Sequence, residues 1–144
     1  MKTQLLIVDD EQEIRNALSR HFRLRGYEVD TAPDGQSALD ILKRKSVQVV
    51  ITDIVMPEMS GTELLKLIRK DFPMVRVVVM TGYVTQEHVF SCLRHDAETC
   101  IFKPWQDLTE MENAVRLAAE RTQVWKLKLK ELLRIKPTAD TGAF

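Results

Sequence analysis

The chain has 144 residues, 44% of them hydrophobic and 29% charged, which is enough for one ordinary domain with a core and a short appendage. No apolar run approaches the ~20 residues needed to cross a bilayer, and no signal-peptide pattern precedes the first strand-like segment, so we expect a cytoplasmic protein without a membrane partner. The net charge of zero is the sum of two unequal parts. Residues 1–120 contain 15 Lys and Arg against 19 Asp and Glu, a net charge of −4, and residues 121–144 contain 6 Lys and Arg against 2 Asp and Glu, a net charge of +4. The acidic charge of the first part argues against direct nucleic-acid binding by the domain.

Five short apolar runs have the composition of buried β-strands. They are Leu5–Val8, Tyr27–Ala32, Val47–Thr52, Val75–Met80 and Thr99–Phe102. The first is continuously apolar rather than alternating, and so are the central residues of the third and fourth. Continuous runs are typical of parallel strands whose two faces are both covered by helices.

Amphipathic stretches follow each of these runs. Helices are predicted over Glu11–Arg25 and Asp34–Lys45, from Ser60 to before Pro73, over Thr85–His95, and after Pro104. Gly26 is expected to stop the first helix. Val89, Phe90 and Leu93 are expected to face the core from the fourth. The regular alternation predicts a doubly wound α/β domain with a five-stranded parallel sheet.

The last predicted helix continues past the domain. Apolar and small residues recur along it at alternating spacings of three and four: Leu108, Met111, Val115, Ala118, Thr122, Trp125, Leu129 and Leu132. This spacing is typical of a coiled-coil seam. Packing against the sheet explains its first half, whereas Trp125 and Leu129 could be buried only by a partner, which predicts a parallel homodimer through the terminal helices.

The predicted organisation is therefore a domain over residues 1–120, a helical, coiled-coil-like linker over 121–136 and a disordered tail over 137–144. Lysines in the linker could indicate nucleic-acid binding, but the absence of accompanying aromatic or glycine-rich segments favours a solvated coiled-coil flank. We expect the output domain of a longer regulator to lie outside this chain, unless the protein acts alone.

Polar residues stand at the carboxyl ends of four predicted strands. Asp9 and Asp10 follow the first, Asp53 the third, Thr81 the fourth and Lys103 the fifth. In an open parallel sheet these ends meet at one edge, where ligands bind. Three carboxylates, a hydroxyl and an ammonium group are therefore expected to converge.

This combination predicts phosphoryl transfer. Three neighbouring carboxylates repel one another unless a cation joins them, and oxygen ligands suit Mg²⁺. With the charge neutralised, Asp53 can attack a phosphorus centre, while Lys103 and the Thr81 hydroxyl bind phosphoryl oxygens. Each residue also has a simpler explanation: Asp9 and Asp10 as helix caps, Thr81 as a turn hydroxyl, Lys103 as a solvated side chain.

Together the motifs resemble the receiver domain of two-component response regulators, including chemotaxis regulators. Asp9-Asp10, Asp53 to Pro57 with Gly61 eight residues after Asp53, Thr81-Gly82 and Lys103-Pro104 stand in the family's order and spacing over about residues 3–120. The resemblance implies a flavodoxin-like fold with strand order 2-1-3-4-5 and a C-terminal helical extension.

The same resemblance implies residue roles. Asp53 would be the phosphoacceptor, and the metal ligands would be Asp10 directly, Asp9 largely through water, Asp53 and the backbone carbonyl of Val55. The donor would be a phosphohistidine on a sensor histidine kinase, and the Lys103–Pro104 peptide bond would be cis.

Two positions depart from the family pattern. Cys100 stands three residues before Lys103, where receivers usually carry the aromatic switch residue, so the usual ring motion is in doubt. Asp96 replaces a glycine before the fifth strand, but aspartate tolerates the left-handed conformation. With no third ligand nearby, Cys92 and Cys100 are expected to be reduced and structural.

The sequence therefore predicts a phosphorylation-controlled switch that signals through its C-terminal helix. One alternative is a receiver-like interaction module that works without phosphate. A second is a Mg²⁺-dependent phosphatase using Asp53, but Val55 occupies the place of its general acid. We expect a phosphoacceptor rather than an enzyme, with at most slow self-dephosphorylation.

Overall fold

A computed structural model of the chain describes residues 2–83 and 85–135 and has an alternating α/β architecture. The elements are β1 (Gln4–Val8), α1 (Gln12–Leu24), β2 (Glu28–Ala32), α2 (Gly35–Arg44), β3 (Val49–Asp53), α3 (Gly61–Asp71), β4 (Arg76–Thr81), α4 (Gln86–Arg94), β5 (Thr99–Phe102) and α5 (Thr109–Arg134). All strand pairs are parallel, in the order β2-β1-β3-β4-β5. The predicted flavodoxin-like order and C-terminal helical extension are confirmed.

Successive residues of the strands supply the two faces of the sheet with separate cores. In β1, Leu6 and Val8 pack against α2, α3 and α4, whereas Leu5 and Ile7 pack against α1 and α5. All four side chains are fully buried. Burial on both faces is the physical reason for the continuous apolar runs in the sequence.

Local signals place both ends of α1, α2, α3 and α4 within one residue of the prediction. Asp34, Ser60 and Thr85 each accept a backbone N–H three residues on, as helix-capping side chains do. Gly26 has a φ of 94° just after α1, which is the left-handed conformation expected of a helix stop.

Helix α5 begins at Thr109, five residues after Pro104. The Asp107 carboxylate accepts the Thr109 N–H at 2.9 Å and satisfies one of the free donors at the helix start. This hydrogen bond and the packing of Trp105 and Leu108 against the core hold the preceding segment in irregular structure. The sequence prediction of a helix after Pro104 did not locate this start.

The predicted inward face of α4 is wrong. Phe90 is 48% and Leu93 72% exposed, and Val89 is only partly buried, whereas Ser91 and Cys92 are buried. Small side chains at the buried positions allow a short helix to pack closely on its neighbours, and the bulky side chains point outward. Spacing alone could not distinguish these two faces of a nine-residue helix.

Helix α5 is continuous for 26 residues, and its first half packs against the sheet. Met111, Val115 and Ala118 are buried, and the Thr122 hydroxyl donates to the Met74 carbonyl at 3.3 Å. Beyond this point Trp125 is 61% exposed, and Leu129 and Leu132 are also exposed.

None of the helices among the described residues combines the length and apolar composition needed to cross a bilayer. The last residue of the predicted linker, 136, and the predicted disordered tail, 137–144, lie outside the described residues.

Candidate functional site

The polar residues predicted to meet lie at one edge of the sheet. Asp9 directly follows β1, Asp53 ends β3, Thr81 ends β4 and Lys103 directly follows β5. An open pocket of about 330 Å³ lies there, lined by Asp10, Glu11, Asp53, Val55, Gly82, Tyr83 and Lys103. The arrangement is the one expected for a ligand site beyond the carboxyl ends of parallel strands.

Three aspartate carboxylates cluster at this pocket, and Asp10 and Asp53 line it. An oxygen of each of Asp9, Asp10 and Asp53 lies within 4.8 Å of the others. Asp9 is fully buried and Asp53 nearly so, while Asp10 is exposed. A cluster of carboxylate oxygens at this separation fits a hard divalent cation such as Mg²⁺.

Lys103 bridges two of these carboxylates. Its Nζ atom lies 2.9 Å from Asp9 Oδ2 and 3.4 Å from Asp53 Oδ2. Burial by itself lowers the pKa of the Lys103 ammonium, but the hydrogen bond to Asp9 and the charges of Asp53 and Asp9 outweigh burial and raise it above its ordinary value. Lys103 is therefore held as a cation inside the site rather than as a solvated side chain.

The Asp53 carboxyl experiences opposing influences. Burial raises its pKa above the ordinary value, the positive charge of Lys103 opposes this rise, and the charge of Asp9 adds to it. The Val55 backbone also lowers the pKa of the Asp53 carboxyl. A carboxylate that is costly to ionise in this setting gains from any further cation, so the electrostatics of the cluster favour cation binding.

Asp9 also takes part in starting α1, as the capping alternative proposed. Its Oδ1 atom accepts the Glu11 N–H at 2.8 Å, while its Oδ2 atom accepts from Lys103. The helix cap residue itself is Glu11, whose side chain makes no capping hydrogen bond. The two explanations of Asp9 are therefore compatible, because each uses a different oxygen atom.

Thr81 does not line the pocket in this structure. Its hydroxyl is fully buried, donates to the Tyr83 carbonyl at 3.0 Å and accepts the Tyr83 N–H at 3.0 Å. This is the turn-hydroxyl arrangement. Its predicted role as a phosphoryl ligand stays a prediction and requires the segment after β4 to release these bonds.

Gly61 brings the start of α3 against the end of β3. Its N–H donates to the Ile54 carbonyl at 2.7 Å, and a Cβ atom placed on it would lie 2.0 Å from the Asp53 carbonyl oxygen. The glycine therefore fixes the backbone that carries Asp53. Gly82, named with Thr81 in the sequence motif, lines the pocket. Glu11 also lines it without having been singled out from the sequence, and its position directly after Asp10 was the available signal.

The position of the missing aromatic lies away from the pocket. Cys100 is partly buried, packs against the same core as α3 and α4, and lines a second pocket together with Cys92. The Lys103–Pro104 peptide bond is cis, and Asp96 has a φ of 57°, both as predicted.

Comparison with known proteins agrees with this geometry. The family model of the response regulator receiver domain matches residues 5–116. The regulatory protein AtoC of Escherichia coli is 38% identical over 117 residues, covering 81% of this chain and 25% of AtoC. Sporulation initiation phosphotransferase F of Bacillus subtilis is 34% identical over 116 residues, covering 81% of this chain and 93% of that protein. The structure of the response regulator protein TrrA of Thermotoga maritima, in complex with Mg²⁺-BeF, superposes with a TM-score of 0.74 at 32% identity, covering 82% of this chain and 99% of TrrA.

Proposed function

The chain belongs to the response regulator receiver domain family, and on this basis we propose that Asp53 accepts a phosphoryl group from a sensor histidine kinase and that α5 transmits the change. The observation that carries the proposal is the position of Asp53, a nearly buried carboxylate at the end of β3 between acidic neighbours and the Lys103 ammonium. Capping or structural roles do not require this convergence from three strands.

The donor set also supports a metal role. Asp9, Asp10, Asp53 and the Val55 carbonyl oxygen would hold Mg²⁺. When bound, the ion neutralises negative charge on the phosphoryl oxygens. The pocket opening beside Asp10 leaves room for a phosphodonor to approach Asp53.

The remaining roles in phosphoryl transfer belong to three side chains of this protein. The Asp53 carboxylate acts as nucleophile, and Lys103 moves from its two carboxylates toward a phosphoryl oxygen. The Thr81 hydroxyl exchanges its bonds to Tyr83 for another phosphoryl oxygen. This exchange would displace the segment after β4, so a local change of charge becomes a conformational change.

Loss of the phosphoryl group would be slow without a partner phosphatase. Val55 and Tyr83 are both exposed and line the opening through which water must reach Asp53. Neither carries a carboxylate or amide that could orient a water molecule for attack. Val55 also occupies the place where a hydrolytic enzyme of this kind would need a general acid.

The route of output rests on α5. The chain spans about a quarter of the length of AtoC but nearly all of phosphotransferase F, so what the helix controls depends on its partner. Trp125, Leu129 and Leu132 form an exposed apolar stripe, which favours a cytoplasmic homodimer through a coiled coil of terminal helices.

Replacement of the usual aromatic by Cys100 favours one alternative, an interaction module that works without phosphate.

Incorporation of phosphate distinguishes the two functions. Incubation with a small acyl phosphate and Mg²⁺ should add one phosphoryl group per chain, and Asp53→Asn should remove this incorporation. Asp40→Asn is a matched control, because Asp40 is an exposed carboxylate on α2 outside the site. No incorporation in wild type would favour the phosphate-independent module, whereas equal incorporation in wild type and Asp53→Asn would place the phosphate on another residue.

A further inference from the structure

The only two cysteines of the chain lie next to each other in the fold. Cys92 is on α4 and Cys100 on β5, and both pack into the core on the α3 and α4 side of the sheet. Both thiols are free, and both side chains line the same pocket between α4 and β5. The connecting segment is also fixed, because the Ala97 N–H donates to the Cys92 carbonyl at 3.0 Å.

Solvent reaches this pair through an open pocket. A cavity of about 270 Å³ between α4 and β5 is lined by Val89, Cys92, Leu93, Ala97, Glu98, Thr99, Cys100 and Phe102. Cys100 is partly exposed and Cys92 is 5% exposed. A small oxidant can therefore enter without unfolding of the helix.

The two thiols are unequal because each shifts the pKa of the other. The neighbouring Cys100 thiol lowers the pKa of the Cys92 thiol, although burial opposes it. The Cys92 thiol, followed by burial, raises the pKa of the Cys100 thiol above its ordinary value. Cys92 is thus the sulfur that ionises first, with Cys100 beside it as a resolving thiol.

We propose that Cys92 and Cys100 are a modification site, at which a peroxide reversibly forms an intramolecular disulfide that ties α4 to β5. The Cys92 thiolate attacks a peroxide oxygen, the O–O bond breaks, and a sulfenic acid and one water form once protons are taken up. The Cys100 sulfur then attacks the Cys92 sulfur, the S–O bond breaks, and a second water leaves. The two thiols lose two electrons and two protons, and the peroxide is reduced.

The plain alternative is that both cysteines are small apolar packing residues, as buried cysteines commonly are. Packing alone does not require an open pocket that both side chains line. The disulfide would also restrain α4, which carries the exposed Phe90 and Leu93, whatever the state of Asp53. The inference is therefore separate from the phosphoacceptor function.

The test treats the full chain with hydrogen peroxide and then measures free thiols with a maleimide reagent and peptide masses by mass spectrometry. We expect the free thiols to fall from two to none, the linked peptides to lose two hydrogens, the chain to remain uncrosslinked to other chains, and dithiothreitol to reverse the change. Asp53→Asn should behave as wild type, which separates this result from any failure of phosphorylation.

A glutathione redox titration tests whether the fold itself favours the bond. The effective concentration of the two thiols should be at least about tenfold higher in the folded chain than in urea, because the fold positions both sulfurs. Cys92→Ser and Cys100→Ser should each abolish the intramolecular bond, with circular dichroism verifying the fold. Unreacted thiols, oxidation only to sulfinic or sulfonic acids, crosslinking only between chains, or an equal effective concentration in urea would overturn the proposal.

Discussion

Replacing Gly61 with alanine places a methyl group inside the backbone at the end of β3. The added Cβ would lie 2.0 Å from the Asp53 carbonyl oxygen and 2.7 Å from the Ile54 Cα atom. Favourable contacts between carbon atoms lie at roughly 3.5 Å or more. The start of α3 must therefore retreat from β3 by about 1 Å, as judged from that contact distance.

The expected loss of unfolding free energy has two sources, overpacking of the core and strain on a backbone hydrogen bond. Overpacking of a well-packed core costs about 1–3 kcal/mol, and the displacement also strains the 2.7 Å hydrogen bond from Gly61 to Ile54, which is worth about 1 kcal/mol. We expect Gly61→Ala to lose about 3 kcal/mol of unfolding free energy. Because Asp53 moves with its backbone, phosphorylation should also slow by about tenfold or more.

Gly35→Ala is the matched control. Its Cβ would lie 2.5 Å from the Met59 sulfur, but this is the flexible end of a side chain that can rotate away. Gly35 begins α2, where alanine gains up to about 1 kcal/mol in helix propensity. Urea unfolding followed by circular dichroism should place Gly35→Ala within about 1 kcal/mol of wild type. A Gly61→Ala variant as stable as Gly35→Ala would refute the reasoning.

Three further predictions concern the metal, hydrolysis and assembly. Asp10→Ala should lose most Mg²⁺ affinity, whereas Thr81→Ala should retain it and lose phosphate-dependent changes; equal losses in a metal titration would contradict these roles. Val55→Asn should hydrolyse the acyl phosphate faster than wild type, because the amide can orient water; an unchanged lifetime of seconds would argue against the slow-hydrolysis account. The full chain should sediment as a dimer and a version ending at Glu120 as a monomer, because truncation removes the exposed half of α5. A monomeric full chain with and without phosphate would exclude the dimer, and a dimer that survives truncation would move the interface to the domain surface.

The sheet could be predicted because its signals are local and redundant. Continuous apolar runs such as Leu5–Val8 identify buried parallel strands, and capping residues such as Asp34 and Ser60 set the helix starts. The acidic cluster could be predicted for the same reason, since parallel strand ends must meet at one edge. The order of the strands came from the family resemblance and not from the residues themselves.

The features that were missed depend on tertiary packing. Whether Phe90 or Cys92 of α4 faces inward depends on how closely the helix approaches its neighbours, and a nine-residue helix has too few turns for spacing to decide. The hydrogen bonds of Thr81 to Tyr83, by contrast, are those of the turn hydroxyl that the sequence offered as its simpler explanation. The shared pocket of Cys92 and Cys100 could not be predicted from a sequence in which they are eight positions apart on different elements.

The most direct test of the central claim identifies the phosphorylated atom. An acyl phosphate on aspartate is reduced by borohydride to homoserine, which marks the residue permanently for peptide mass spectrometry. After incubation with an acyl phosphate and Mg²⁺, we expect homoserine at position 53 and unmodified aspartate at positions 9 and 10. Homoserine at Asp9 or Asp10, or an unreduced phosphate on any hydroxyl or histidine side chain, would contradict the account of Asp53 as the phosphoacceptor.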